Sequence, residues 1–174
     1  MTRIEVLRPF VEQTVAKYLH LEHLQVAEDG TIPIRAGSTI VNVRLMDGPG
    51  DKPLLQVYSP MLLDVDRSPE LLEKLNEINT QLTFTRTFWA DRQVILAMDL
   101  LAETLDEEQI AHACSFVSLA ADFWDETLRE TFGGRLFFNE EQPVPGDQPD
   151  AGEAPATPAE AGPKGEDPPA AGYI

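Results

Sequence analysis

The sequence predicts an α+β domain in which an antiparallel five-stranded sheet carries helices mainly on one of its faces. Two patterns support this fold class: segments with helical periodicity, and β-branched segments that alternate between apolar and polar residues. Short turns rich in Gly and Asp join neighbouring strands. The predicted element order is α-β-β-β-α-β-β-α. Helices and hairpins in this alternation give an antiparallel sheet with helices packed against it.

The first half of the chain is predicted to form a helix followed by a three-stranded antiparallel meander. Apolar residues from Ile4 to Tyr18 recur at helical spacing. Pro9 lies inside this pattern, so either the proline occupies an early turn or the helix begins near Arg8. Two turns that contain glycine separate the strands that follow, which predicts antiparallel neighbours. The three strands are predicted over residues 31–35, 39–46 and 54–63.

The second half begins with another helix. Ser68 supplies a capping hydroxyl group there, and Pro69 takes the first helical position. A hairpin follows, and its strands are predicted over residues 83–89 and 92–101. The last helix has two candidate caps, Thr104 and Asp106, and the glycine pair at 133–134 ends it.

Composition excludes several classes of partner. The chain of 174 residues has 30 acidic and 13 basic side chains, which gives a formal charge of −17. Such a surface repels phosphate groups, so nucleic acid and anionic membranes are poor partners and a basic polypeptide is a better one. Cys114 is the only cysteine. A chain without an intramolecular disulfide, a signal peptide or a long apolar run is expected in the cytoplasm.

Composition also divides the chain into two parts. Residues 139–174 hold 8 of the 14 prolines, 8 acidic residues and one basic residue, and are otherwise rich in Ala and Gly. A segment of this kind cannot bury enough apolar surface to offset the entropy of ordering it. We therefore expect an α+β domain over residues 1–138 and a disordered acidic tail over residues 139–174.

The sequence offers little support for catalysis. His20 and His23 lack the further ligands that a metal site needs. His112 and Cys114 lie two residues apart on a helix and point in different directions, so they do not form a nucleophile pair. The glycines do not form a phosphate-binding loop. We expect no enzyme activity, no cofactor and no bound metal.

Two helices carry more apolar surface than one packed face requires. On the last helix, Phe116, Leu119 and Phe123 fall outside the main apolar stripe, which indicates either burial on two sides or an exposed docking patch. The middle helix is rich in leucine and either caps the sheet or pairs with its copy in a homodimer. Leu72 and Ile78 are the candidate dimer contacts.

The face of the sheet that carries no helices is a candidate binding surface. Side chains alternate between the two faces of a strand, so Arg44, Gln56 and Tyr58 are predicted to face away from the helices. In the fourth strand the pattern is ambiguous, and Trp89 is assigned to this face because threonines suit a solvated surface. Aromatic anchors mixed with polar groups are typical of interface hot spots. A client segment is expected to lie on this face or to add to an edge strand.

Several short segments of the sequence resemble those of one family. They are Val57–Pro60, Pro69–Asn79, Phe88-Trp89, Leu100–Asp106 and Phe132–Gly134, taken in this order and spacing. Most of residues 1–134 thereby resembles the YbjN and type III secretion chaperone-like (CesT-like) proteins found widely in actinobacteria. The resemblance implies an acidic, peptide-binding module that often forms homodimers and has neither cofactor nor catalysis.

The expected function is therefore that of a non-catalytic, chaperone-like module that binds a polypeptide client. The alternative is a regulatory or structural adaptor domain that recognises one folded partner. A chaperone binds unfolded segments through spare apolar surface, whereas an adaptor binds one partner with a defined stoichiometry.

Overall fold

The computed structural model describes residues 2–138, and the tail expected over residues 139–174 lies outside them. The predicted order of helices and strands is confirmed. The helices are α1 (Arg3–Tyr18), α2 (Pro69–Gln81) and α3 (Glu107–Phe132). The strands are β1 (Ile32–Ala36), β2 (Thr39–Asp47), β3 (Pro53–Leu62), β4 (Arg86–Ala90) and β5 (Gln93–Leu101).

The five strands form one antiparallel sheet in the order β1-β2-β3-β5-β4. The central strand β3 joins the N-terminal meander to the C-terminal hairpin, because it pairs with β5 from Leu54 opposite Leu101 to Leu62 opposite Val94. The chain between β3 and β4 forms α2, which packs beside the outer strand β4.

Side-chain caps define where each helix begins. Thr2 caps α1 and forms a capping box with Glu5, and Ser68 accepts a hydrogen bond from the N–H of Leu71 at the start of α2. Of the two candidate caps of α3, Asp106 is the one used, because its carboxylate accepts a hydrogen bond from the N–H of Gln109. Such caps satisfy backbone donors that the first turn leaves unpaired.

One face of the sheet and the three helices enclose the core. As the alternation predicts, Val41, Val43 and Val57 are buried on this face, where they meet Leu128 of α3. Trp124 of the same helix is only half-buried and packs at the margin of the core. The ammonium group of Lys74 lies 5.7 Å from the centre of its ring.

The prediction for the faces of β4 is wrong. Trp89 lies on the helix side of the sheet, where its indole N–H donates to the carbonyl oxygen of Val65 at 3.0 Å. Thr87 is buried on the same side, and its hydroxyl group donates to the carbonyl oxygen of Leu75. The polar atoms of both side chains have partners there, so Trp89 does not belong to the face without helices. Phe88 of β4 lies on the face without helices instead.

The middle helix caps the sheet with its apolar side. Leu71, Leu75 and Ile78 are buried in the core, and Ile78 has no exposed surface at all. The assignment of Ile78 to a dimer interface is therefore wrong, because a second copy could not reach this side chain without unfolding α2. Leu72 is half-exposed and remains available to a partner.

Substituting these two residues of α2 separates a core role from an interface role. We expect Ile78→Ala to lower the free energy of unfolding by about 2–5 kcal/mol, because a fully buried side chain leaves a cavity. Leu72→Ala should cost less than half as much. Urea denaturation at two protein concentrations measures both values. Equal losses in the two variants would contradict this description of α2.

Candidate functional site

The sheet face turned away from the helices, here called the open sheet face, is the first candidate surface. Its side chains come from alternate positions of all five strands and are fixed by the strand register. Arg44, Gln56 and Tyr58 lie on it, as the sequence indicates. The open sheet face also includes Arg35, Ile40, Asn42, Leu54, Arg86, Phe88, Ile95, Asp99 and Leu101.

A row of hydrogen bonds crosses four neighbouring strands on this face. The guanidinium group of Arg44 donates from Nε and Nη2 to Oε1 of Gln56, at 3.0 and 2.6 Å. The amide of Gln56 donates in turn to Oδ1 of Asp99 at 2.7 Å. Oδ2 of Asp99 forms an ion pair with Arg86 at 2.6 Å. The row therefore fixes the orientation of four side chains across the centre of the sheet.

Aromatic rings flank both ends of the row. The guanidinium group of Arg44 lies 4.8 Å from the centre of the Tyr58 ring, and that of Arg86 lies 5.7 Å from the centre of the Phe88 ring. Both rings are half-exposed. The stacked arginines lose little rotamer entropy when a ligand binds, and the rings present apolar area beside them. This combination suits a polypeptide with both apolar and polar groups.

The charge of the open sheet face differs in sign from that of the whole chain. Arg35, Arg44 and Arg86 are its basic residues and Asp99 is its acidic residue, whereas the chain carries a formal charge of −17. Within residues 2–138, neither Arg35 nor Arg44 forms a close ion pair with a carboxylate. Arg44 does lie near Asp29, where hydrogen bonds from Thr31 lower the pKa of the carboxyl group and the charge of Arg44 adds to this effect. The open sheet face is therefore a basic area on an acidic protein.

The two edges of the sheet are poorly suited to the addition of another strand. At β4, the side-chain amide of Asn79 donates to the carbonyl oxygen of Thr87 at 3.0 Å and accepts from its N–H at 2.6 Å. At β1, Ala36 pairs with Thr39 across a two-residue turn, so Pro33 and Arg35 direct their backbone groups outward. Proline has no N–H group to offer an added strand. The face is the better candidate.

The second candidate surface is the outer face of α3. Phe116, Leu119 and Phe123 share one side of the helix, and 53%, 71% and 70% of their surfaces are exposed. Of the two explanations that the sequence leaves open, exposure rather than burial on two sides is the one observed. Four exposed acidic residues lie along the same side or at its margins: Glu108, Asp122, Glu126 and Glu130.

The described residues show no constellation typical of catalysis. Cys114 is buried in the core, and burial raises the pKa of its thiol to about 12, so the reactive thiolate is disfavoured. Within residues 2–138, no three His, Cys, Asp or Glu side chains are grouped so that they could hold a metal ion. None of the helices in this part of the chain combines the length and apolar character that a membrane span requires.

Sequence reasoning did not assign the second half of the polar row and its flanking ring to the open sheet face. Arg86, Phe88 and Asp99 reach it because β5 pairs with β3 on one side and with β4 on the other. The sequence alternation alone does not choose between the two faces of β4. The sequence nevertheless held an indication that Asp99 belongs to a polar cluster. It is an isolated acid within an apolar strand, and such a side chain needs a cationic or amide partner.

Comparisons with known proteins agree with this fold. The family model described as T3SS (YopN, CesT) and YbjN peptide-binding chaperone 1 matches residues 5–140. No curated protein matches the sequence.

Three solved structures share the fold at low sequence identity. The ExsC–ExsE complex has a TM-score of 0.58 and 17% identity, covering 74% of this chain and 97% of that chain. The Yersinia pestis type III secretion chaperone SycH, in complex with a stable fragment of YscM2, has a TM-score of 0.51 and 16% identity, covering 67% and 98%. The HopA1–SchA chaperone–effector complex has a TM-score of 0.52 and 11% identity, covering 70% and 94%. The chain belongs to the T3SS (YopN, CesT) and YbjN peptide-binding chaperone family.

Proposed function

We propose that this protein holds an unfolded segment of a polypeptide client on the open sheet face and catalyses no reaction on it. The observation that carries the proposal is the hydrogen-bonded row from Arg44 to Arg86, flanked by two half-exposed aromatic rings. The family is one of peptide-binding chaperones. The similar structures of SycH and SchA are complexes with a fragment of YscM2 and with HopA1, which supports a polypeptide as the client here.

The row prepares the surface for binding before a client arrives. Gln56 is nearly buried, and its amide already has partners on both sides, so a client does not have to desolvate it. A client segment can therefore contact the exposed edges of the rings of Tyr58 and Phe88 while its polar groups meet the arginines. Tyr and Arg are enriched among the residues that dominate binding energy at interfaces.

Charge divides potential clients between the two surfaces. The arginines of the open sheet face favour a segment with acidic or neutral polar residues. A basic segment, which the charge of −17 suggests as a partner, fits the outer face of α3 better, because Phe116, Leu119 and Phe123 are accompanied there by acidic side chains. We place the main client site on the sheet and a second contact for basic segments on α3.

The alternative function is that of an adaptor for one folded partner. A folded partner needs a flat interface of standard size and gives a defined stoichiometry, whereas an unfolded client binds through short segments of many sequences. We further propose that the protein acts in the cytoplasm. If it forms a homodimer, the half-exposed Leu72 is the candidate contact on α2.

The decisive variant removes both rings of the open sheet face. We expect Tyr58→Ser combined with Phe88→Ser to weaken the binding of short unfolded peptides by at least about 30-fold, since the loss of a single hot-spot residue already costs about 2 kcal/mol. Peptides selected on an array with the full chain serve as probes, and fluorescence anisotropy measures the dissociation constants. Val6→Ser, which removes an exposed apolar side chain on α1, is the matched control and should leave affinity unchanged.

A folded double variant that retains full affinity for every selected peptide would overturn the proposed client site. Circular dichroism and a urea transition establish that the variant is folded. If the full chain selects no peptide but binds one folded partner at a fixed ratio, the adaptor function replaces the chaperone function.

The outer face of α3 has its own test. We expect Leu119→Ser combined with Phe123→Ser to weaken only the selected peptides rich in Lys and Arg, by about tenfold, because two exposed apolar contacts are lost. Raising the salt concentration should weaken the same peptides in the wild type, since exposed charges are screened. An equal effect on acidic peptides would contradict the division of clients by charge.

A further inference from the structure

The chain leaves the described residues beside the open sheet face. The backbone N–H of Phe138 donates to the carbonyl oxygen of Ser38 at 3.1 Å, in the turn between β1 and β2. The guanidinium group of Arg35 lies 5.0 Å from the centre of the Phe138 ring. Arg35 pairs with Ile40 in the register and belongs to the open sheet face. Residues 139–174 therefore start at the β1 margin of this face.

A buried carboxylate holds this exit point in place. The hydroxyl group of Ser38 donates to Asp125 of α3, which is almost completely buried. Burial raises the pKa of Asp125, while the hydrogen bond from Ser38 lowers it. The turn that receives Phe138 is thus tied to the longest helix of the fold, so the following residues begin from a fixed position.

The composition of the C-terminal segment, residues 139–174, complements the open sheet face. The segment carries 8 acidic residues and one lysine, and its first two acids are Glu140 and Glu141. They follow Phe138 within about 7–10 Å of extended chain, which is close enough to approach Arg35. The segment also has 8 prolines. Proline-rich segments dock on surfaces lined by aromatic rings, and Tyr58 and Phe88 provide such rings here.

The C-terminal segment is long enough to cover the whole face. From Arg35 on β1 to Arg86 on β4 the sheet spans about 20 Å, given the usual spacing between strands. A flexible chain of the length of residues 139–174 has an end-to-end distance of about 30–36 Å. The outer face of α3 offers a poorer site for this segment, because Glu108, Asp122 and Glu130 would repel it.

We propose that the C-terminal segment folds back onto the open sheet face and occupies it when no client is present. Its acidic side chains approach Arg35, Arg44 and Arg86, and its prolines contact the rings of Tyr58 and Phe88. Because the segment is tethered, its effective concentration at the face is on the order of millimolar. A client then has to displace it, a consequence that rests on the client site proposed above.

A nitroxide label on the C-terminal segment tests the docking without any client. The label is attached to the full chain at Ala151→Cys, while the native Cys114 is buried and its raised pKa keeps it unreactive. We expect paramagnetic broadening of the backbone amides of Arg44 and Tyr58 and none at Leu119. Broadening that is absent from the open sheet face, or that is equal at Leu119, overturns the proposal.

Two matched sets of substitutions in the segment test the role of charge. Neither set alters a residue of the described fold, so both leave the domain intact. The first set neutralises four acids: Glu140→Gln, Glu141→Gln, Asp147→Asn and Asp150→Asn. The control set keeps their charges: Glu140→Asp, Glu141→Asp, Asp147→Glu and Asp150→Glu. We expect the broadening to disappear in the first set and to persist in the control, and its persistence in the first set contradicts the electrostatic docking.

The client assay separates failure of this inference from failure of the proposed function. We expect the neutralised segment to raise the affinity of the selected acidic and neutral peptides by about tenfold, because these peptides no longer compete with it for the open sheet face. If broadening depends on the acids but peptide affinity does not change, the segment docks on the open sheet face and the client site lies elsewhere. If peptide affinity depends on Tyr58 and Phe88 but no broadening occurs, the client site stands and the docking is wrong.

Discussion

The antiparallel pairing of β3 with β5 is the interaction on which the rest of the structure depends. It joins two segments that are far apart in the sequence, from Leu54 opposite Leu101 to Leu62 opposite Val94. The pairing makes β3 the central strand and brings Gln56 beside Asp99, which completes the polar row between β2 and β4.

The same pairing leaves α2 at the outer strand β4, where the side chain of Asn79 forms hydrogen bonds with the backbone of Thr87. Core, candidate surface and protected edge all follow from this one register.

Local patterns were sufficient to predict the elements and most of the core. The alternation in β2 and β3 assigned Val43 and Val57 to the core and Arg44 and Tyr58 to the opposite face, because one strongly apolar side leaves no choice of register. The cap at Ser68 located the start of α2, and Thr104 and Asp106 located that of α3 to within two residues.

The errors concern residues whose environment depends on distant partners. Thr87 and Trp89 look suited to a solvated face, but their polar atoms find backbone acceptors in Leu75 and Val65. These acceptors belong to α2 and to the loop before it, which the sequence of β4 does not reveal. Ile78 shares the apolar side of α2 with Leu71, and whether that side meets the sheet or a second copy is decided by tertiary packing alone.

The binding account depends on how charge and apolar area are distributed over the surface. The open sheet face combines arginines with half-exposed rings on a protein whose overall charge is strongly negative, whereas the outer face of α3 combines exposed apolar residues with acids. Asn79 and Pro33 discourage strand addition at the two edges. A client is therefore expected to lie across the sheet and contact side chains. Electrostatics is expected to determine which client sequences bind more than how tightly they bind.

The central claim is that the open sheet face binds the client, and mapping backbone amide shifts by NMR tests it most directly. A selected peptide is titrated into the isotopically labelled full chain. The account predicts that the largest shift changes occur at Arg44, Gln56, Tyr58, Phe88 and Asp99, on four neighbouring strands of one face. Shift changes confined to α3 around Leu119, or to the outer edge of β1, would contradict it.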